Sequence, residues 1–142
     1  VMGRTGWLAG PPPPVDLAAE KRNGDLVRGL VEQGAVAACH DISDGGLLVA
    51  VAEMAMAGNV GADLTIDATS AGALFGEDQG CYLLASADPA TVLEAAADAG
   101  VAAVVIGATG GHALTLNGNN PISVQDLRSA HEGWLPAFAD AL

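Results

Sequence analysis

The sequence predicts an α/β (α+β) fold in which a mixed β-sheet is flanked by helices. Runs with helical spacing alternate with short apolar runs of strand type along most of the chain. Two later strand-like runs are separated by Asn117-Gly118, a pair that favours a hairpin turn. The chain has 142 residues, of which 51% are hydrophobic, which suits one domain with its own core. We therefore expect a single domain over residues 15–142.

The first half of that domain is predicted from its capping residues and its apolar spacing. Asp16 is a good N-cap and Gly34 a good residue just past a helix end, so a helix is expected between them. Ala35–Cys39 is predicted to be a buried strand. Leu47–Ala57 is apolar nearly all round, which is typical of a helix buried on most sides. Asp63–Asp67 alternates in polarity and predicts a half-buried strand.

The second half continues with the same alternation. Cys81–Ser86 is predicted to be a strand. Asp88-Pro89 then predicts a helix start, with Asp as the cap and Pro in the first turn, and Gly100 predicts the end of that helix. Ala102–Ile106 is predicted to be a further strand.

The C-terminal part is predicted to contain a hairpin and then helix. His112–Leu116 and Ile122–Val124 are the expected hairpin strands, and Gln125–Leu142 is expected to form one or two helices. At the other end, residues 1–14 are Gly-rich and finish with four prolines, Pro11–Pro14. Proline runs favour extended geometry, so we expect a linker there.

The charge of the chain limits its partners. The formal net charge is -12, which disfavours nucleic acid and anionic membrane surfaces as partners. No apolar run approaches the roughly 20 residues that a membrane helix needs. Cys39 and Cys81 lie in apolar strand-like runs, so we expect buried, reduced, unpaired thiols and a cytoplasmic protein.

The segment from His40 to Leu47 combines two carboxylates, a hydroxyl, an imidazole and two glycines. It is predicted to join a strand to a helix, and the first N–H groups of a helix can bind an anion. Asp41 and Asp44 could hold a divalent cation through oxygen ligands. The alternative is a turn in which Asp only caps the helix. His40, His112 and His131 are dispersed and are expected to be structural, so no catalytic residue is assigned.

Four segments carry a resemblance to a known family. They are Pro12–Asp25, His40–Leu47 with its continuation Val51–Ala55, Phe75–Gly80, and Tyr82–Ala85. In this order and spacing they resemble the C-terminal domain of the phosphoribosylformylglycinamidine synthase family, within the aminoimidazole ribonucleotide synthetase superfamily. The resemblance implies the superfamily's C-terminal-domain fold. It also implies that residues 1–14 are a linker and the remnant of a preceding domain.

The resemblance implies a role in purine biosynthesis. The family converts formylglycinamide ribonucleotide, glutamine and ATP to the formylglycinamidine, glutamate, ADP and phosphate. ATP and Mg²⁺ are the implied cofactors of the whole enzyme, with none certain for this chain. The implied partners are the remaining synthase domains and a glutaminase domain or subunit, and a homo-oligomer is a further option. Most ATP-binding residues of the family lie in the preceding domain type, so the chain alone is expected to be inactive.

The resemblance also implies site residues. Asp41 alone matches a magnesium position, in the first of the family's two copies of this domain. From the composition of the turn itself, Asp44 is a further candidate metal ligand, and Ser43, Gly45 and Gly46 are candidate substrate-binding residues. Glu77, Asp78 and Gln79 match a loop that contacts the ribonucleotide in the first of the family's two copies of this domain. Asp78 stands where that loop has Ser, and a carboxylate there would repel a phosphate unless a cation intervened.

Two alternatives remain open from the sequence. One is a purely structural half that completes a pseudo-symmetric enzyme without touching a ligand. The other is a domain of another ATP-using member of the superfamily, of hydrogenase-maturation or selenophosphate-synthetase type. Those proteins lack the Phe75–Gly80 pattern, which favours the synthase family.

Overall fold

The structure is a computed structural model that describes residues 14–67 and 70–140. Most of the predicted linker, residues 1–13, lies outside the described residues. The described helices are α1 (Leu17–Glu32), α2 (Gly46–Gly58), α3 (Ala71–Phe75), α4 (Pro89–Asp98) and α5 (Val124–Ala139). The strands are β1 (Ala38–Asp41), β2 (Ala62–Leu64), β3 (Tyr82–Ala85), β4 (Gly107–Thr109), β5 (Ala113–Leu116) and β6 (Asn119–Ser123).

The chain divides into two compact units. Among the described residues, the first unit takes 14–50 and 70–105, and the second takes 51–67 and 106–140. Helix α2 begins in the first unit and ends in the second. The predicted class, a mixed sheet with helices, is confirmed. The strands form two separate sheets, one of two strands and one of four.

In the first unit, β1 and β3 form an antiparallel pair in which Ala38 is opposite Ala85 and Asp41 is opposite Tyr82. Helix α1 begins where predicted, because the Asp16 carboxylate accepts hydrogen bonds from the N–H groups of Ala18 and Ala19, each at 3.0 Å. It also ends where predicted. Gly34 has φ +69°, and the N–H groups of Gln33, Gly34 and Ala35 all bond back to carbonyl oxygens of the helix, which closes it.

Helix α4 has the same design as α1. Asp88 caps its N-terminus through Thr91, and Pro89 occupies the first turn. At the other end, Gly100 has φ +65° and Val101 N–H bonds the Ala96 carbonyl oxygen at 2.8 Å. Both ends of α4 are therefore where the sequence predicts them.

The second unit contains a four-stranded mixed sheet in the order β4-β2-β5-β6. Strand β2 is antiparallel to β4 and parallel to β5, and β5 and β6 form the predicted hairpin. Asn117 and Gly118 both have positive φ, +53° and +70°, as a tight hairpin turn requires. Helix α5 follows β6 directly, and the Ser123 hydroxyl caps it by accepting from Asp126 N–H at 2.9 Å.

The core is built from small side chains. Among the residues whose burial the structure describes, nine apolar ones are buried, and four of them are alanines: Leu30, Ala50, Val51, Ala55, Ala62, Leu64, Leu74, Ala96 and Val124. Three of these lie on α2, and no residue of that helix from 46 to 56 is exposed. The prediction that α2 is buried on most sides is confirmed.

The predicted strand Ala102–Ile106 is wrong. Residues 101–106 have no regular structure, and Val104 is 78% exposed. The apolar, β-branched composition favours a strand, but pairing with β2 begins only at Gly107. The sequence analysis also missed the short helix α3. Strand β1 begins three residues later than predicted, because the residues that close α1 precede it.

The predicted burial of the two cysteines is also wrong. Both are exposed, although both are free, as predicted. Cys39 is opposite Leu84 in a sheet of only two strands, and Ile42 N–H bonds the Cys81 carbonyl oxygen just beyond that sheet. Two strands alone leave much of their surface uncovered. Alternation along the strand also places the two thiols on opposite faces, which prevents a disulfide.

Within residues 14–67 and 70–140, no helix combines the length and apolarity needed to cross a membrane.

Candidate functional site

Two loops of the first unit lie beside each other at one end of the β1–β3 pair. The first loop, residues 42–45, leaves β1 and leads into α2, and the second loop, residues 76–81, leads from α3 into β3. Because β1 and β3 are antiparallel, the end of one strand is next to the start of the other. The fold thus brings together two segments that are far apart in sequence.

The two loops and the start of α1 line an open cleft of about 560 Å³. Its lining includes the six predicted side-chain candidates Asp41, Ser43, Asp44, Glu77, Asp78 and Gln79. The other lining residues are Leu17, Glu20, Lys21, Ile42, Gly80, Cys81 and Tyr82. Gly45 and Gly46 do not line the cleft and instead support its wall.

Three contacts join the two loops. Ile42 N–H donates to the Cys81 carbonyl oxygen at 2.9 Å and extends the strand pairing by one step. Gly45 N–H donates to Glu77 Oε1 at 3.0 Å. At Gly46 the backbones nearly touch, because an ideal Cβ there would lie 2.5 Å from the Phe75 carbonyl carbon.

The two glycines are required by this geometry. Gly45 has φ +85° and Gly46 has φ +76°, a region that other residues rarely adopt. Gly46 N–H lies 3.2 Å from the Ser43 carbonyl oxygen and bonds it. The N–H groups of both glycines therefore already have partners inside the protein, although the sequence analysis expected such groups to be open to an anion.

Helix α1 holds the other side of the second loop. Asn23 Nδ2 donates to the Gly80 carbonyl oxygen at 3.0 Å. Gly80 has φ +67°, and a Cβ there would lie 2.9 Å from Glu20 Cγ. One oxygen of the Glu20 carboxylate, Oε1, is buried without a hydrogen-bond partner. Glu20 and Asn23 are three residues apart on one helix face and both contact the second loop.

The cleft is strongly acidic. Its lining includes five carboxylates, those of Glu20, Asp41, Asp44, Glu77 and Asp78, and one lysine, Lys21. Lys21 is itself paired with Asp25 on the next turn of α1. A free phosphate would meet net negative charge here, so a bound phosphate needs an accompanying cation.

The negative charge of the cleft also affects the pKa of the Cys81 thiol. The Cys81 thiol donates to the Gln79 carbonyl oxygen at 3.8 Å. Partial burial raises the pKa of this thiol, and the negative charge of Asp78 raises it further. The pKa of Cys39 is raised in the same way, by burial and then by Asp41. Both groups are therefore thiols, not reactive thiolates, near neutral pH.

His40 lies beside Asp41 at the edge of the cleft. Its Nδ1 is 2.6 Å from the Asp41 main-chain oxygen and 3.6 Å from Asp41 Oδ1. Since a carbonyl oxygen only accepts, the ring nitrogen donates to it. This bond fixes the imidazole against the backbone. The Asp41 side chain is 63% exposed. His112 and His131 lie in the second unit, His112 just before β5 and His131 on α5.

Residues 14–67 and 70–140 contain no group of three or more His, Cys, Asp or Glu side chains placed to hold a metal ion. Mg²⁺ does not require such a group, since it often uses one or two carboxylates and takes water and phosphate oxygens for the rest. Asp41 and Asp44 line the same cleft and meet that smaller requirement. The residues thus fit a magnesium ion that arrives with a phosphate ligand.

The sequence analysis missed the contribution of α1 to the cleft. Leu17, Glu20 and Lys21 line it, and Asn23 fixes the second loop from behind. All four lie in the first of the segments that carry the family resemblance. The signal was the pair Glu20 and Asn23, two polar residues with helical spacing and no other evident role.

Comparison with known proteins identifies the family. A family described as "AIR synthase related protein, C-terminal domain" matches residues 4–116. The chain belongs to this family. The match includes α1, both loops of the cleft and the strands up to the end of β5.

Relatives of this AIR synthase C-terminal domain are synthase subunits. The chain is 58% identical over 141 residues to phosphoribosylformylglycinamidine synthase subunit PurL of Rhodospirillum rubrum, covering 97% of the chain and 19% of the relative. It is 53% identical over 140 residues to the PurL subunit of a Chelativorans species, covering 94% of the chain and 19% of the relative. The chain thus spans about a fifth of the length of these relatives.

Solved structures share the fold. Thermotoga maritima PurL complexed with FGAR superposes with a TM-score of 0.71 at 24% identity, over 87% of this chain and 23% of that one. Phosphoribosylformylglycinamidine synthase II from the same organism gives 0.68 at 24% identity, over 81% and 22%. These likenesses show that the AIR synthase C-terminal fold is present.

Proposed function

We propose that this chain is the C-terminal domain of an ATP-dependent phosphoribosylformylglycinamidine synthase of purine biosynthesis, and that it is inactive alone. The observation that carries the proposal is the cleft, where two separate motifs of the synthase family meet. The family match and relatives above 50% identity support it. These relatives favour the synthase over the hydrogenase-maturation and selenophosphate-synthetase types.

The reaction we assign to the whole protein is a C–N ligation with glutamine as nitrogen donor. The γ-phosphoryl group of ATP passes to the amide oxygen of formylglycinamide ribonucleotide, and ammonia then displaces phosphate to give the formylglycinamidine. Mg²⁺ would neutralise charge on the transferring group. In support, PurL structures have been solved with ATP, with ADP and with FGAR.

Within this reaction, we assign the cleft to binding and orientation. Asp41 and Asp44 would hold the magnesium ion, and Ser43, Asp78 and Gln79 would face the ribonucleotide. The acidity of the cleft makes the cation necessary, because Asp78 and its neighbours repel a bare phosphate. We assign the missing positive charge to the remaining synthase domains, since Lys21 is the single basic residue in the lining.

We further propose a cytoplasmic assembly of this domain with the remaining synthase domains and a glutaminase domain or subunit. A structure described as PurLQS from Thermotoga maritima supports association with other proteins. A homo-oligomer is also compatible with the apolar surface left exposed on several elements.

Cation binding tests the assignment of the cleft. Electron paramagnetic resonance of Mn²⁺, a substitute for Mg²⁺, should show binding to the chain in the presence of ADP and weak binding in Asp41→Asn. Asp98→Asn, which removes an exposed carboxylate at the end of α4, is the matched control and should bind as the unchanged chain does. Equal binding by Asp41→Asn and Asp98→Asn would contradict the metal assignment.

Activity tests the claim that the chain is incomplete. The purified chain should release no ADP from Mg-ATP, with or without formylglycinamide ribonucleotide. The longer synthase subunit should do so when ammonia or the glutaminase is supplied, and Asp41→Asn in that protein should reduce the rate. Turnover by the isolated chain would show that the proposed dependence on other domains is wrong.

A second candidate function has its own support. The Gly45 N–H donates to the Glu77 carboxylate and the Gly46 N–H donates to the Ser43 carbonyl oxygen, so neither group is open to an anion. These contacts favour a structural half without ligand contacts. Full activity of the longer subunit with Asp41→Asn would select this function.

A further inference from the structure

We propose that Glu77 is a positioning residue: its carboxylate holds the first loop through Gly45 and does not contact the substrate. The proposal refines the function assigned to the cleft and rests on it for its consequence, the placing of Ser43 and Asp44. The geometry behind it is independent of any ligand. Glu77 and Gly45 are 32 residues apart in sequence and are joined by a hydrogen bond of 3.0 Å.

The hydrogen bond places the Glu77 carboxylate beside the N-terminal end of α2. Helix α2 begins at Gly46, so Gly45 is the residue that precedes its first turn. In a capping box, a Glu inside the helix reaches back to the N–H at that position. Here the Glu comes from the other loop. Its negative charge also faces the positive end of the α2 dipole, which strengthens the contact.

The bond completes the attachment of the first loop. At one end, Ile42 is fixed by its hydrogen bond to Cys81. At the other end, Gly46 is pressed against the Phe75 backbone. Glu77 secures Gly45 between these points, so Ser43 and Asp44 form a short span with both ends fixed. The two residues of the first loop whose side-chain oxygens line the cleft are thereby set in place.

The same bond makes Glu77 a poor candidate for substrate contact. One of its two carboxylate oxygens accepts from Gly45, and a second acidic side chain, Asp78, follows it directly. A phosphate that approached Glu77 would have to displace a charge-assisted bond and face both negative charges. Asp78 and Gln79 remain the side chains of this loop that can face a ligand.

Amide hydrogen exchange in the chain tests the bond without any ligand. Glu77→Ala should speed exchange of the Gly45 N–H by about tenfold, the effect of losing about 1.4 kcal/mol, which is near the low end for a bond to a charged group. Glu77→Gln keeps an acceptor oxygen and should stay within about threefold of the unchanged chain. Asp78→Ala is the matched control and should leave Gly45 exchange unchanged.

Two results of the exchange experiment would overturn the proposal. One is Gly45 exchange in Glu77→Ala within twofold of the unchanged chain. The other is equal acceleration in Glu77→Gln and Glu77→Ala, which would show that charge alone matters and not the hydrogen bond.

Mn²⁺ binding in the presence of ADP tests whether Glu77 positions the first loop for cation binding. Glu77→Gln and Glu77→Ala remove the same charge, so the change in long-range attraction for the cation is the same in both. If Glu77 positions the loop, Glu77→Gln should bind Mn²⁺ at least about threefold more tightly than Glu77→Ala, a difference of about 0.6 kcal/mol. Equal affinities would overturn the positioning role. Failure of the unchanged chain to bind Mn²⁺ would count against the proposed function. Hydrogen exchange would still test whether Glu77 bonds the Gly45 N–H.

Discussion

In the first unit, acidic side chains line a cleft, whereas in the second unit polar side chains form hydrogen bonds that hold a sheet together. The cleft loops are joined by main-chain contacts, two glycines and one carboxylate. In the sheet, Thr115 Oγ1 donates to Asp63 Oδ1 at 2.5 Å across β5 and β2. The Asn117 side chain bonds both the N–H and the carbonyl oxygen of Ile66, at 2.9 and 3.0 Å. Polar groups in the sheet therefore satisfy one another, whereas Asp41, Asp44 and Asp78 in the cleft are exposed.

The difference indicates where ligand chemistry can occur. A carboxylate bonded within a sheet is committed to stability, while a carboxylate exposed in a cleft can bind a cation. The cost of the cleft is mutual repulsion among its acidic groups. Such a group of exposed carboxylates is compatible with the proposed cation site.

The largest expected effect is at Gly46. Gly46→Ala places a Cβ against the Phe75 backbone in a residue with positive φ, so neither side can yield cheaply. We expect a loss of about 3 kcal/mol in the free energy of unfolding, measured with urea. Gly133→Ala on α5 is the control, because nothing lies within 4 Å of its Cβ and Ala favours helix by about 1 kcal/mol. Equal stability in both variants would show that the close approach of the loops is absent.

The sequence predicted those parts of the fold that local chemistry decides. The ends of α1 and α4 were found from Asp16, Gly34, Asp88 and Gly100, because capping depends on neighbours within four residues. The strand at 102–106 was wrongly predicted, since strand formation depends on a distant partner that composition does not reveal.

The residues of the candidate site were also predicted only in part. The side chains of its two loops were recognised from motifs, and both loops were expected at strand ends. The bond from Gly45 to Glu77 was not found, because it joins residues 32 positions apart and depends on the register of β1 with β3. The contribution of α1 to the cleft lining was missed because it also depends on contacts between residues far apart in sequence.

A smaller effect is expected at Asn117, which tests how the sheet is fastened. Asn117→Ala removes two hydrogen bonds to Ile66 and places Ala at φ +53°. We expect a loss of about 2 kcal/mol on urea unfolding. Asn117→Gly removes the same bonds but tolerates the positive φ, so it should cost less than Asn117→Ala. If Asn117→Gly costs more, the backbone conformation is not the reason that Asn stands there.

Thiol labelling tests the electrostatics of the cleft. With Cys39→Ser in place, Cys81 should react more slowly than a free cysteine at pH 7, and its rate should rise with pH until the raised pKa is passed. The direction follows from the mechanism, because thiolate is the nucleophile and a raised pKa lowers its fraction. Asp78→Asn should speed the reaction by removing a negative charge. An unchanged rate in Asp78→Asn would show that the carboxylate does not act on Cys81.

The smallest effect is expected on the exposed face of α5. Leu135 is 64% exposed, and Trp134 stacks on Phe138 at a ring distance of 5.3 Å on the same helix. Because Leu135 loses little contact with water on folding, Leu135→Ala should change the free energy of unfolding by less than about 0.5 kcal/mol. Leu64, 6% exposed in β2, is the matched control, and Leu64→Ala should cost about 3 kcal/mol. A loss above about 1.5 kcal/mol in Leu135→Ala that grows with protein concentration would mean that self-association covers this face.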